Sequence, residues 1–195
     1  MLHPLLMPLI TLWLAMELDP LVAFLLPDQG RFITLAMVAL MTVVFPITST
    51  LLLKRAGLVS SLELPTRQER LGPYIMTVIY YAMTWYLLLR APLDVVASRL
   101  FFGATVAVML TALITIRWKI SAHMVGMGGL IGALAGLNVV HGLGLFPIFV
   151  VAIILAGMLG TARLLTSDHT VGQVLAGALL GVCCTYTSVI TAAVQ

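Results

Sequence analysis

The feature that most constrains this chain is a series of apolar runs, each about 20 residues long, separated by short clusters of charge and proline. A helix needs about 20 mostly apolar residues to cross the hydrocarbon core of a bilayer. Seven runs meet or approach that length: about 2–26, Phe32 to Leu53, Pro73 to Leu89, Val95 to Ile116, Ile120 to Leu137, Leu145 to Leu165, and His169 to Ile190. Pro4, Pro8, Glu17, Asp19 and Pro20 interrupt the first. Lys54-Arg55 closes the second, Arg117-Trp118-Lys119 closes the fourth, and Pro73 suits the first turn of the third. None alternates apolar with polar residues, as the strands of a membrane barrel do. Helices are the remaining way to satisfy backbone groups inside lipid. The expectation is an all-α polytopic membrane bundle with about seven crossings.

Composition points the same way. Of 195 residues, 62% are hydrophobic and 9% are charged, with a mean hydropathy of +1.15. A soluble domain carries about 25% charged residues, and much of any compact surface must face water. One integral membrane domain over residues 1–195 follows, because no polar stretch is long enough for a second. The net charge of +3 is mild and the ten Lys and Arg are scattered, so no nucleic-acid partner is expected. Cys183 and Cys184 are neighbours inside an apolar run, which makes a bond between them unfavourable and leaves the redox compartment open. The first run lacks a basic leader and a small-x-small cleavage site, so a retained helix is expected there.

Small residues recur along the last three runs: Gly128, Gly132 and Gly136; Ala152, Ala156 and Gly160; Gly177 and Gly181. Small residues on one face let helix backbones approach closely in lipid. A tight bundle of the last three helices is expected.

The polar residues fall in three stretches: 54–72; Arg117 to His123; and Arg163 to Gln173. They follow the second, fourth and sixth runs, so an even number of crossings separates them and they share one membrane face. Two imidazoles and several cations on one face make an anion-binding constellation, since the planar guanidinium matches phosphate oxygens and helix N-termini add backbone donors. Ser121, His123 and His169 are expected at such N-termini. His169 and Gln173 are four residues apart, a spacing at which the amide can orient the imidazole on a shared helix face. Taken singly, Lys54, Arg55, Arg117 and Lys119 are ordinary interfacial anchors. Arg163 and His169 point to a site.

These residues resemble the type-2 phosphatidic acid phosphatases (the PAP2 superfamily), whose three motifs run K-x6-R-P, P-S-G-H and S-R-x5-H-x3-D. Ala162-Arg163, five residues, His169, three residues and Gln173 match the third with its spacing intact. Ile120-Ser121-Ala122-His123 is similar to the second, and Arg67, Arg70 and Pro73 to a degraded first. The resemblance covers the second to seventh runs, so 31–195 is expected as a PAP2-like core and 1–30 as an extra N-terminal helix. It implies that His169 attacks phosphorus to form a phosphohistidine, that His123 protonates the leaving oxygen, and that Arg163, Ser121 and one or both of Arg67 and Arg70 hold the phosphoryl oxygens. Lys119 is a possible helper without a motif position. It also implies no metal and no cofactor, a phosphorylated lipid as substrate entering from the bilayer, and a bacterial cell membrane as location.

The departures are specific. Glu63 or Ser60 stands where the first motif has lysine, Ala122 replaces glycine, and Gln173 replaces aspartate. A neutral amide can accept the imidazole N–H but cannot stabilise an imidazolium by charge. Replacing the aspartate of a Ser-His-Asp triad by its amide costs about 10⁴ in rate, largely through the wrong tautomer. A non-catalytic relative that binds a phosphorylated lipid or a partner protein is therefore the second expectation. A transporter would carry charged residues at mid-helix depth, and these runs have almost none. Seven Lys and Arg fall on the motif side and three on the other. Four of the seven are site candidates, so the side on which the site lies stays open, as does the oligomeric state. Tyr74, Tyr80, Tyr81, Trp85 and Tyr86 are expected to pack or sit at the interface rather than to line a groove.

Overall fold

The computed structural model describes residues 3–61, 67–166 and 169–194, and these are mostly helical, with no strand among them. A 3₁₀ turn at Pro4–Leu6 leads into α1 (Met7–Leu18), followed by α2 (Asp28–Arg55), α3 (Arg67–Leu88), α4 (Val95–Thr115), α5 (Ala122–His141), α6 (Phe146–Leu165) and α7 (Val171–Ile190). Five of these, α2, α4, α5, α6 and α7, are long and apolar enough to cross a membrane. The chain is a multi-pass membrane protein. Helix α3 has the length, at 22 residues, but its tyrosines and polar first turn lower its hydropathy.

Two expectations about helix ends need correction. The first run does not form one helix over 2–26. It stops at Leu18, because Pro20 disfavours helical backbone at Asp19, which is extended with φ −127° and ψ 99°. The third helix does not begin at Pro73 but at Arg67, so Pro73 lies inside it. Arg67-Gln68-Glu69-Arg70 is a run of strong helix formers, and it extends the helix a full turn and a half into what reads as a polar linker. Pro73 then removes only the amide that would meet the carbonyl of Glu69, near the helix start where the cost is small.

Chain direction alternates from α2 to α7, which gathers the end of α2, the start of α3, the end of α4, the start of α5, the end of α6 and the start of α7 at one end of the bundle. Helix α1 runs parallel to α5: His3 meets His123 at that same end, and Asp19 pairs with His141 at the other.

The close packing is centred on α5 and α7, with α4 as their third partner. A side chain at Gly128 would collide with the carbonyl of Ala178, and one at Gly181 with the carbonyl of Val125. A side chain at Gly132 would reach 2.5 Å from the carbonyl of Val182, and one at Gly103 would reach 2.8 Å from that of Cys184. Polar ties reinforce the contact: Thr185 Oγ1 donates to the Gly129 carbonyl at 2.8 Å, and Ser188 Oγ to the Arg99 carbonyl at 2.7 Å. Helix α6 does not join this tight group as expected. Gly157 faces open space, and Ile153, Ile154 and Met158 are exposed for lipid contact. Its buried small residues, Ala152 and Gly160, meet side chains such as Val174 and Met124 rather than a neighbouring backbone, so the tight unit is α4–α5–α7 rather than the last three helices.

Helix α2 contains a π-turn at Leu40–Val44 directly before Pro46. A proline in a helix interior lacks an N–H and clashes with the carbonyl four residues back, and a π-turn supplies the extra residue that relieves this. Pro46, Ile47 and Thr50 then face the centre of the bundle.

Candidate active site at one end of the bundle

The site grows out of the junction between α5 and α7. Ser121 is the N-terminal flanking residue of α5, and its N–H donates to the Gln173 carbonyl at 3.3 Å. Gly177 permits the approach, since a side chain there would lie 2.7 Å from the Ser121 carbonyl. The start of α7 closes with a capping box: Gln173 N donates to Thr170 Oγ1 at 3.4 Å, and Thr170 N donates to Gln173 Oε1 at 3.1 Å.

This box fixes His169. The Thr170 N–H identifies the oxygen of the Gln173 amide, and that oxygen lies 3.2 Å from His169 Nδ1. The Lys119 carbonyl lies 3.3 Å from the same nitrogen. Both neighbours only accept, so Nδ1 carries the proton and Nε2 keeps its lone pair. His169 precedes the helix rather than lying on it, so Gln173 reaches it through the capping box and not along a shared helix face. The amide thus does half of a carboxylate's work: it selects the tautomer without adding charge.

His169 is 8% exposed. Burial holds its imidazole below the ordinary 6.5; the Gln173 hydrogen bond acts in the opposite direction, and the Arg163 charge lowers it further. His169 is therefore neutral at pH 7, the form that has a free lone pair.

Arg70, His123, Arg163 and His169, which come from all three polar stretches, line one cavity of about 410 Å³. Arg163 sits in the last turn of α6, and Arg70 lies within hydrogen-bond reach of Tyr74. Arg70, Arg163, His169 and His3 are all close enough to His123 to act on it electrostatically. Away from this polar end the walls are mostly apolar, with Leu100, Phe101, Val108 and Leu130 among them and threonines such as Thr77 and Thr111 whose hydroxyls turn back onto the carbonyls of Pro73 and Ala107. From His123 to Ala133 the wall of α5 spans ten residues, about 15 Å of depth. No Asp or Glu lines the cavity among the described residues.

No family model, curated protein or solved structure matches the chain.

Other candidates stand apart from the cavity. Ser121 is fully buried, lies outside the cavity wall, and its hydroxyl has no hydrogen-bond partner among the described residues. Its part here is to tie α5 to α7 through the backbone, in place of the expected phosphate contact. Lys119 reaches His169 through its carbonyl, with its ammonium near enough to act on the imidazole electrostatically. Arg67 opens α3, but its side chain lies outside the described residues, as does Glu63. Tyr74 and Tyr81 line the cavity, against expectation, whereas Tyr80 bonds Ser49 at 2.6 Å and Trp85 packs on Phe102.

Sequence reasoning missed His3, which also lines the cavity. Its signal was available: it stands at the head of the first run, and α1 and α2 then lead to the first polar stretch, which puts both at one end of the bundle.

Proposed function

We propose that the protein is a membrane phosphatase that hydrolyses a phosphate ester or diphosphate of a lipid through a phosphohistidine. The observation that carries this reading is the shared cavity. Two imidazoles and two guanidiniums from three distant stretches meet at its polar end, and apolar walls suited to a hydrocarbon chain continue from them. Simple binding of a phosphate would need the arginines but neither histidine. The resemblance to the type-2 phosphatidic acid phosphatases, with α2–α7 as the six-helix core and α1 as a seventh crossing, agrees with this arrangement.

The chemistry follows from the tautomer. His169 Nε2 attacks phosphorus, forming a P–N bond as the bond from phosphorus to the leaving oxygen breaks. His123 gives its proton to that oxygen, so the lipid departs as a neutral alcohol or a phosphate monoester. Arg163 and Arg70 hold the equatorial oxygens where negative charge is concentrated. Water then attacks phosphorus, His123 takes a water proton, the P–N bond breaks, and inorganic phosphate leaves. Nδ1–H of His169 remains bonded to Gln173 and Lys119 throughout, which keeps Nε2 aimed into the cavity.

One observation favours a second reading, a non-catalytic lipid-phosphate binder: Gln173 supplies no charge to the imidazolium that forms when Nε2 is phosphorylated. The test is phosphate release by purified protein in detergent with chelator, on phosphatidic acid, phosphatidylglycerol phosphate and a polyprenyl diphosphate. Release that falls at least about a thousandfold in His169→Ala supports catalysis. Tight binding of one of these lipids without release supports the binder.

A further inference from the structure

A third imidazole stands beside the two used above. His3 and His123 meet edge to face, with ring centroids 6.0 Å apart and planes at 71°. The contact is built by the fold. Gly126 lies one turn into α5 from His123, and a side chain there would come within 2.9 Å of Met7 Cγ. Its absence lets the Pro4–Leu6 turn and the start of α1 lie against α5. His3 itself is held at the head of that turn, where Nδ1 accepts the Leu5 N–H at 3.4 Å. With Nδ1 used as acceptor, the neutral ring carries its proton on Nε2, and the residue lines the cavity. Burial keeps this imidazole below its ordinary 6.5, so it is a neutral donor at pH 7.

The position of His3 relative to the reaction is defined by its neighbours. The nucleophile His169 is surrounded by Gln173, Lys119 and Arg163, whereas His3 is a neighbour of His123. Under the phosphatase reading, on which this inference rests, His123 protonates the leaving oxygen. His3 is therefore on the leaving-group side. A phosphate monoester offers no anionic oxygen there, because its leaving group is an alcohol. A diphosphate does, because its leaving group is a second phosphate. A donor that only one of two substrates can use discriminates between them.

We propose that His3 is a specificity-determining residue that donates to the leaving phosphate of a lipid diphosphate. The probes are farnesyl diphosphate and farnesyl monophosphate, titrated calorimetrically into full-length protein in detergent. His169→Ala serves as the background, so that neither probe is consumed. Adding His3→Ala should weaken diphosphate binding about tenfold, the size of one hydrogen bond to a charged group, and leave the monophosphate within about twofold. His3→Gln, which keeps an N–H donor, should regain part of the loss. Gly126→Val, which keeps His3 but displaces its segment, should reproduce the loss. Equal weakening of both probes, unchanged diphosphate affinity, or no binding of either probe overturns the proposal. Hydrolysis of farnesyl diphosphate by protein with His169 intact is read separately. Selective binding without release removes the phosphatase and keeps the role of His3, and release without selectivity does the reverse.

Discussion

A histidine marks the contact between α1 and α5 at each of its ends, in opposite electrostatic settings. At one end His3 faces His123, with Arg70 and Arg163 close by, beside an open cavity. At the other, His141 pairs with Asp19, whose carboxylate is fully buried and also accepts the Leu21 N–H at 3.0 Å. The difference separates a strap from a site. An imidazole bonded to a buried carboxylate has its polar partner in place and ties the end of α1 to the end of α5. Imidazoles gathered with guanidiniums leave positive potential that an anion can complete. The strap and the site also depend on one another, because α1 presents His3 to the cavity only if its far end stays docked on α5.

That comparison breaks most sharply at His123. His123→Ala should cut phosphate release about a hundredfold or more, the usual weight of a general acid. Its melting temperature should stay near wild type, because the ring packs beside a cavity and a substitution there buries no new unpaired group. The mirror experiment is Asp19→Ala. Removing the carboxylate leaves the His141 ring and the Leu21 N–H without their acceptor, at about 1–3 kcal/mol, so thermal unfolding in detergent should move down clearly while release per folded molecule on a monophosphate stays within about threefold. If Asp19→Ala abolished turnover at full stability, the strap would be part of the site.

A further substitution tests the junction that supports the site. Gly181→Ala drives a methyl into the Val125 carbonyl, and overpacking of this kind costs about 1–3 kcal/mol. Stability and turnover should fall together, because α5 and α7 carry His123 and anchor His169. The smallest effect sharpens the contrast between amide and carboxylate. His169 acts as a nucleophile only when neutral, and its pKa lies below 6.5. Release should therefore persist as pH falls past 6.5 and be lost only as it passes through the lowered value. Gln173→Glu keeps the capping box and adds a negative charge beside the imidazole, which raises that pKa. The acid limb of the pH–rate profile should move to higher pH, and the rate at pH 8 should rise. An unmoved limb would place the titration elsewhere.

Much of this was legible in the sequence for local reasons. The positions of α4, α6 and α7 follow from apolar run length, and Gly128, Gly132 and Gly181 announced a close helix contact. Arg163, His123 and His169 were singled out by motif spacing and Arg70 by a degraded first motif, while the parity of crossings put their three stretches on one face. The tight partner of α5 and α7 was not read, although α4 carries Gly103, Ala107 and Thr111 at four-residue spacing, all buried, because a single glycine among alanine and threonine is a weaker signal than the glycine rows of α5 and α7. Nor was Ser121's withdrawal from the cavity, because its motif position says nothing about which way its hydroxyl faces once α5 is pinned to α7.

The sequence by itself determined that the chain is a helical membrane protein with its cations concentrated at one end. Run length and the need to satisfy every backbone group in lipid are local conditions, and each segment meets or fails them alone. Only the tertiary structure decided that Gln173 holds His169 through a capping box, that Lys119 takes part through its carbonyl, and that His3 joins His123. Those contacts depend on how far each helix is rotated and how closely glycines let it approach its neighbours. Such geometry is set by pairs of elements distant in the chain and by no segment alone.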